Sequence, residues 1–359
     1  MRNRLVASPR FQRWAAGFPL TRGIARKNTR ALFDLCAGFV YAQVLTACVR
    51  LDLFRILAEG PLALDVLALR LDLPVENARR LLRASVSLDL VRALPDGRFG
   101  LADLGAALTG NPGIAAMIEH HALLYADLAD PVALLRGTAE PTKLARYWPY
   151  AAGKAADADA VAPYGGLMGS SQALIADDVL DACDLSGSRH LMDVGGGEGA
   201  FLQAVATRHP GLALTLFDLP AVSSRAYDRL AQAGLAERIA CRGGSFHDGL
   251  PLGADTISLV RIVHDHDDGP ALALLAAAHA ALPPGGTLIL AEPMAGTPGA
   301  EPVGDAYFGF YLLAMGSGRP RRAEELRAML RMAGFTSSRE LRTRRPLLTR
   351  LIVGQKDAR

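Results

Sequence analysis

The spacing of apolar positions along the chain changes character partway. From about 31 to 58 they recur at helical spacing, which predicts a long helix. Gly60-Pro61 then marks a turn, and Leu64–Leu71 and Val75–Leu88 read as two short helices joined by Asp72-Leu73-Pro74. Leu90–Leu94 and Arg98–Leu101 flank Pro95-Asp96-Gly97, the pattern of a two-stranded wing. Together these elements predict a winged-helix module. Residues 105 to 160 are mainly helical in pattern, and the Ala/Asp-rich stretch Ala151–Ala162 is a candidate linker. From about 164 short apolar runs alternate with helix-length segments. The expected strands are His190–Val194, Ala213–Phe217, Ile239–Arg242, Thr256–Val260 and Thr287–Ala291, with strand-like runs at Ser337–Thr343 and Leu348–Gly354. That alternation predicts an α/β fold built on a doubly wound parallel sheet. The expected division is an arm over 1–30, a helical domain over 31–160 and an α/β domain over 161–359.

Composition refines this picture. Half of the 359 residues are hydrophobic, enough for two well-buried cores. A net charge of +3 is too small to imply nucleic-acid binding by the whole chain. The charge is uneven, however. Arg2, Arg4, Arg10, Arg13, Arg22, Arg26, Lys27 and Arg30 precede the first acid, Asp34, and Phe11, Trp14 and Phe18 lie among them. Such an arm suits either an anionic membrane surface or a solvated leader. The second short helix carries Arg79, Arg80 and Arg83, but it is heavily apolar and Asp72, Glu76 and Asp89 sit close by, so dimerisation is expected of this module rather than DNA contact. Cys36, Cys48, Cys183 and Cys241 have neither metal nor disulfide spacing and fit buried thiols in a reducing cytoplasm. The run Phe39–Val49 is too short to span a bilayer, and no cleavable signal is visible.

The chemistry concentrates at Leu191-Met192-Asp193-Val194-Gly195-Gly196-Gly197-Glu198-Gly199. An apolar strand runs into alternating glycines and then a helix, Ala200–Arg208. Such a turn lets backbone approach a ligand and offers free helix N–H groups. Gly195-x-Gly197-x-x-Ala200, with Asp218 at the end of the next strand, can be aligned with a dinucleotide fingerprint. S-adenosylmethionine is the competing cofactor: Asp218 would receive its ribose hydroxyls and Asp193 its ammonium. The glycines at 195, 197 and 199, Pro283-Pro284-Gly285-Gly286 before the fifth strand, and Ala333-Gly334-Phe335 before the closing strands favour the sulfonium cofactor.

With these motifs the chain resembles the class I methyltransferase fold, and within it the caffeate-type (family 2) small-molecule O-methyltransferases. The resemblance rests on Asp-Val-Gly-Gly-Gly-x-Gly, Phe217-Asp218-Leu219-Pro220, Val263-His264-Asp265, Pro-Pro-Gly-Gly, Ala291-Glu292-Pro293 and the N-terminal winged-helix module, and it covers nearly all of 31–359. It implies S-adenosylmethionine as cofactor, a homodimer, and cofactor contacts from Asp193, Gly195, Gly197, Asp218, Leu219, Ser245 and Phe246. Ser8–Trp14 and Ala31–Tyr41 further resemble the carotenoid-hydroxyl branch of purple phototrophic bacteria, the demethylspheroidene (hydroxyneurosporene) O-methyltransferases.

His264 follows the fourth strand and so lies at the sheet edge where doubly wound folds bind ligands; it titrates near neutrality and can act as a base. The resemblance gives it that role and makes Glu292 the acid that orients it. A second family acid is expected in Gly-Lys-Glu-Arg, where this chain reads Gly318-Arg319-Pro320-Arg321; Glu324 and Glu325 lie a helical turn later. Two further departures stand at adenine-contact positions: His266 replaces a tryptophan, and Gly243-Gly244-Ser245-Phe246 lacks the family's acid. Arg261 is placed to reach the cofactor carboxylate or to form a structural ion pair. Neighbouring residues of the run His264–Asp268 rarely converge on one ion, so no metal is expected.

The stretch Tyr307–Gly316 is apolar all round and predicts a buried helix that could line an acceptor pocket with Phe308, Tyr311 and Met315. Tyr164 and Met168 match another pocket position of the family. The expected function is methyl transfer to a tertiary hydroxyl of an acyclic carotenoid. The expected location is the cytoplasm, with the basic arm at the inner or photosynthetic membrane. Methylation of a phenol or other small hydroxylated metabolite is the alternative, and a winged-helix ligand sensor is the non-enzymatic one.

Overall fold

The first helix starts earlier and breaks sooner than the apolar spacing predicts. In the computed structural model, which describes residues 2–147, 172 and 174–358, the basic arm is itself helical. It forms α1 (Arg2–Val6), α2 (Pro9–Gly17) and the start of α3 (Arg22–Arg50). The break comes at Asp52, whose left-handed backbone (φ 59°) an aspartate tolerates better than most residues, before α4 (Leu53–Ala58). By length and composition α3 could cross a membrane, so the apolar run at 39–49 is part of a longer apolar helix than expected. Its C-terminal half instead packs a core: Cys48 is buried, and Val44, Leu45 and Val49 lie against Leu53, Leu57, Leu67, Leu82 and Val91. Around that core stand α5 (Leu64–Arg70), α6 (Val75–Ser87) and the wing, in which β1 (Val91–Ala93) pairs antiparallel with β2 (Phe99–Leu101). The helices α7 (Asp103–Thr109) and α8 (Pro112–Asp127) follow.

The chain divides into two units between Glu119 and His120, well before the stretch near 160 suggested by composition. Packing explains the difference. Leu124 on α8, Leu134 on α9 (Pro131–Leu135) and Leu144 on α10 (Lys143–Tyr147) share one buried cluster with Leu312, Ala314 and Met315. The candidate linker Ala151–Ala162 lies outside the described residues.

The second unit is built on a seven-stranded sheet of order β5-β4-β3-β6-β7-β9-β8. Its strands are β3 (His190–Val194), β4 (Ala213–Asp218), β5 (Ile239–Gly243), β6 (Thr256–Val260), β7 (Thr287–Glu292), β8 (Ser337–Leu341) and β9 (Arg350–Gln355). The first five are parallel, and β9 pairs antiparallel with both β7 and β8. Strand alternation feeds two cores, one on each face. Met192, Leu288 and Leu290 pack with α14 (Asp268–Ala281) and α16 (Ala323–Met332). Leu191, Ile289 and Ala291 pack with α11 (174–182), α12 (Ala200–Arg208) and α13 (Pro220–Gln232). The strand order reverses between β3 and β6, so the loops leaving these neighbours open a crevice at the carboxyl edge.

Where a continuous helix over Tyr307–Gly316 was expected, Pro302–Phe308 winds as a π-helix before α15 (Gly309–Met315). Such local widening often marks a functional site.

Candidate active site

The glycine turn leaves β3 at the crevice. Gly195, Gly197 and Gly199 have φ of 71°, 56° and 81°, a region L side chains avoid. A Cβ at Gly195 would stand 2.6 Å from Ile262, and one at Gly196 2.7 Å from Asp193 Oδ2, whereas at Gly197 it would meet nothing within 4 Å. The turn is therefore packed from below and open at Gly197. Glu198 ties it to α13 through ion pairs with Arg225 and Arg229.

Two carboxyls sit beneath and beside this turn. Asp193 is buried and accepts a 2.6 Å hydrogen bond from Ser258 Oγ. Burial, opposed by that bond and reinforced by Asp218, pushes its pKa up to about 7. Asp218 ends β4 and accepts from the Gly197 N–H (2.9 Å) and the Leu219 N–H (2.7 Å); burial raises it to about 6. Neighbouring carboxyls of raised pKa, one buried and one half-buried, gain from a ligand that brings a cation and hydroxyl donors. The ammonium and ribose of S-adenosylmethionine supply both, so this edge fits that cofactor. Leu219 adds its backbone N–H at the start of α13. Ser245 caps a short turn by accepting from His247 N at 3.2 Å. Phe246 packs edge-on to His266, ring centroids 5.2 Å apart, so one of the two departures from the family's adenine contacts, His266, joins the family's phenylalanine in an aromatic wall.

His264 lies on a single 3-10 turn (Val263–Asp265) after β6 and is 6% exposed. Its Nδ1 is 3.1 Å from Glu292 Oε2, too oblique for an aligned hydrogen bond, and its Nε2 is 3.0 Å from Asp265 Oδ1. Glu292 ends β7 and is pinned by its other oxygen, which accepts from Val263 N at 2.8 Å and Ile262 N at 3.2 Å. Burial pulls the imidazole pKa down, but Asp265 and Glu292 outweigh it, and the net shift is upward from 6.5. Burial likewise raises Glu292. An imidazole between two carboxylates is oriented and made more basic. An acceptor hydroxyl reaching Nε2 must take the place of Asp265.

The segment after α15 holds this turn from outside. Arg321 is buried and donates from Nη1 to Val263 O (2.9 Å), from Nη2 to His266 O (2.8 Å), and from Nε to Asp268 (3.0 Å). Arg319 N donates to His264 O at 2.9 Å, and Ser317 Oγ to Asp265 O at 2.9 Å. At Gly318 a Cβ would stand 2.2 Å from His264 O, so only glycine admits this approach. Pro320 thus leaves the second family acid unreplaced. Glu325 does not supply it, because its carboxylate caps α16 and pairs with Arg319.

Phe308 is the predicted pocket residue brought to the base, its ring 5.6 Å from His264. Tyr307 stands edge-on to Phe308 at 5.0 Å. Tyr311 and Met315 lie further along α15, in the packed cluster with Leu124 and Leu144, so Met315 packs the helix core instead of facing the imidazole. Tyr164 and Met168 lie outside the described residues. Arg261 adopts a left-handed backbone (φ 59°), rare for its type, and its charge acts on both His264 and Tyr307. Burial raises the Tyr307 phenol to about 12, opposed by Arg261.

Four contacts were missed from sequence. Asp265 follows His264 directly, and that adjacency was an available signal. Arg321 sits in the family segment already singled out. His120 and His121 gave no signal at all: their Nε2 atoms stand 2.8 Å from the hydroxyls of Tyr311 and Tyr307, far away in sequence. Burial lowers His120 to about 4, so it stays neutral there.

Comparison with known proteins identifies the relatives of this chain. Residues 125–336 match the family described as O-methyltransferase domain, and 33–111 the O-methyltransferase dimerisation domain. The chain is 48% identical to the demethylspheroidene O-methyltransferase of Cereibacter sphaeroides, covering 93% of this chain and 88% of that one. It is 45% identical to the enzyme of that name from Rhodobacter capsulatus, covering 98% and 88%. The fold is shared with human N-acetylserotonin methyltransferase in complex with SAM, with a TM-score of 0.75 and 24% identity over 92% of this chain and 98% of that one.

Two outcomes are expected. Only the neutral imidazole accepts a proton, so kcat/KM should rise with pH through a midpoint above 6.5. In Asp265→Asn that midpoint should move to lower pH, because a charge that raises His264 is gone; an unmoved profile removes Asp265 from the base. Arg321→Met leaves buried carbonyls unmatched and should cost about 3 kcal/mol or more of stability, read by denaturant unfolding.

Proposed function

The chain belongs to the S-adenosylmethionine-dependent O-methyltransferases with an N-terminal dimerisation domain, and from that premise we propose that its acceptor is a hydroxyl on an acyclic carotenoid of the demethylspheroidene type. The observation that carries the acceptor is the near-full-length kinship with two enzymes of that name. The aromatic side chains of Phe308 and Tyr307 beside the base suit a long hydrocarbon.

The bound cofactor supplies an electrophilic methyl group on a sulfonium. The chain supplies position and a proton acceptor. Asp218, oriented by the Leu219 N–H, and the glycine turn would hold the ribose side, and Asp193 the amino-acid side. Phe246 and His266 would flank the adenine. Burial of the base keeps water from competing as acceptor. The hydroxyl of the acceptor replaces Asp265 at His264 Nε2. With the cofactor bound, the acceptor oxygen would take the methyl as its bond to sulfur breaks and the neutral thioether leaves; His264 Nε2 would receive the hydroxyl proton, and Glu292 would stabilise the imidazolium formed. A tertiary alcohol is a very weak acid, so proton removal accompanies or follows attack, and orientation carries much of the acceleration. We further propose a homodimer formed through the α3 face that exposes Leu35 and Phe39, within the matched dimerisation domain.

The test incubates the enzyme with labelled S-adenosylmethionine and either a hydroxylated acyclic carotenoid or a phenolic acceptor. Turnover on the carotenoid alone is expected; preference for the phenol overturns the acceptor. His264→Ala should lose about 10²- to 10⁴-fold in turnover while binding the cofactor normally. Asp218→Ala should instead weaken cofactor binding roughly tenfold or more by calorimetry.

A further inference from the structure

The arm that precedes the dimerisation domain remains without a role. Residues 2–30 fold as α1, α2 and the first turns of α3, ahead of the matched segment that starts at 33. Their geometry is defined. Ala15 is buried, and Thr21 Oγ1 donates to Ala15 O at 2.8 Å, which fixes the corner between α2 and α3. Around that corner apolar side chains point to solvent. Trp14 is 52% exposed, Leu20 82% and Ile24 64%, with Phe18, Leu5 and Val6 also exposed. Trp14 stacks on Phe18 at 4.9 Å, forming a flat aromatic tip. All eight basic residues of the arm are exposed, and among the described residues Arg30 alone has an acid within reach, Asp34 at 3.7 Å.

We propose that this corner docks the enzyme on an anionic lipid bilayer, with Trp14, Phe18, Leu20 and Ile24 entering the interface and the flanking arginines meeting lipid phosphates. Charge and shape choose this occupant together. Eight cations with no acid before position 34 demand an anionic partner. A tip of tryptophan, phenylalanine, leucine and isoleucine demands an apolar one, and tryptophan favours the boundary between water and acyl chains. A nucleic acid satisfies the first demand and leaves the aliphatic side chains in water. A second copy of this arm satisfies the second and sets cation against cation. Arginine stems can lie along the apolar side chains while their heads reach phosphate. The surface is legible without knowing the acceptor, so failure of the docking test leaves the methyl-transfer reading intact, and the reverse also holds.

The experiment is co-sedimentation of the full chain with vesicles of phosphatidylcholine alone or with about one-third phosphatidylglycerol. Binding to the anionic vesicles, weakened by added salt and absent from the neutral ones, is the expected result. Arg13→Gln with Arg22→Gln should weaken it roughly thirtyfold, which is about 2 kcal/mol for the two charges at tenfold per 1.4 kcal/mol. Brominated lipid should quench tryptophan emission in the native chain and lose that effect in Trp14→Phe. No binding to anionic vesicles, or equal binding to both kinds, overturns the proposal. So does an arm substitution that leaves vesicle binding unchanged while light scattering shows the dimer falling apart, which would assign the arm to the interface between copies.

Discussion

One imidazole held between two carboxylates, nearly out of water, is the interaction on which the rest of the site depends. Isolated burial would depress a histidine and leave it a weak base. Here Asp265 and Glu292 reverse that effect, and each comes from a different source. Glu292 arrives on β7, the neighbour of β6, so sheet register delivers it to the ring. Asp265 comes from the same short turn as the imidazole. The ring is thus positioned by a rigid strand on one side and by its own loop on the other.

A loop that carries a base needs something to hold it. Arg321 does this by occupying backbone carbonyls on both sides of His264, and Gly318 permits the close approach that makes it possible. The departure from the family at Pro320 falls inside this clamp. Loss of an acid there leaves the clamp intact, because its work is done by the guanidinium of Arg321 and the backbone of Arg319. Among the described residues, Glu292 and Asp265 are the acids that act on the His264 imidazole.

Cofactor and acceptor sides draw on different physics. At the glycine turn, buried Asp193 and half-buried Asp218 present two carboxyls suited to a cation and hydroxyl donors. Beyond the imidazole, Phe308 and Tyr307 present hydrocarbon and aromatic edge. Two tyrosines of that side are tied to consecutive histidines on α8, whose residues from His120 onward belong to the same unit as the sheet.

Local patterns were enough for the parallel strands, the glycine turn, Asp218 at its strand end and the placing of His264 at the carboxyl edge, because each depends on short-range periodicity or on the strand–turn–helix order. Local pattern was not enough for the helix break at Asp52, where one left-handed residue overrides continuous apolar spacing. Nor did composition locate the unit boundary, since packing of Leu124, Leu134 and Leu144 onto α15 outweighs a low-complexity stretch. The amino-acid order by itself determined the sheet, the glycine turn and the place of His264 at the carboxyl edge, through features that neighbours in the chain impose on one another. Tertiary structure alone decided that Asp265 sits on Nε2, that Arg321 grips the turn and that His120 and His121 meet Tyr311 and Tyr307. Those contacts join residues remote in sequence, or turn on side-chain direction, and folding in three dimensions chooses both.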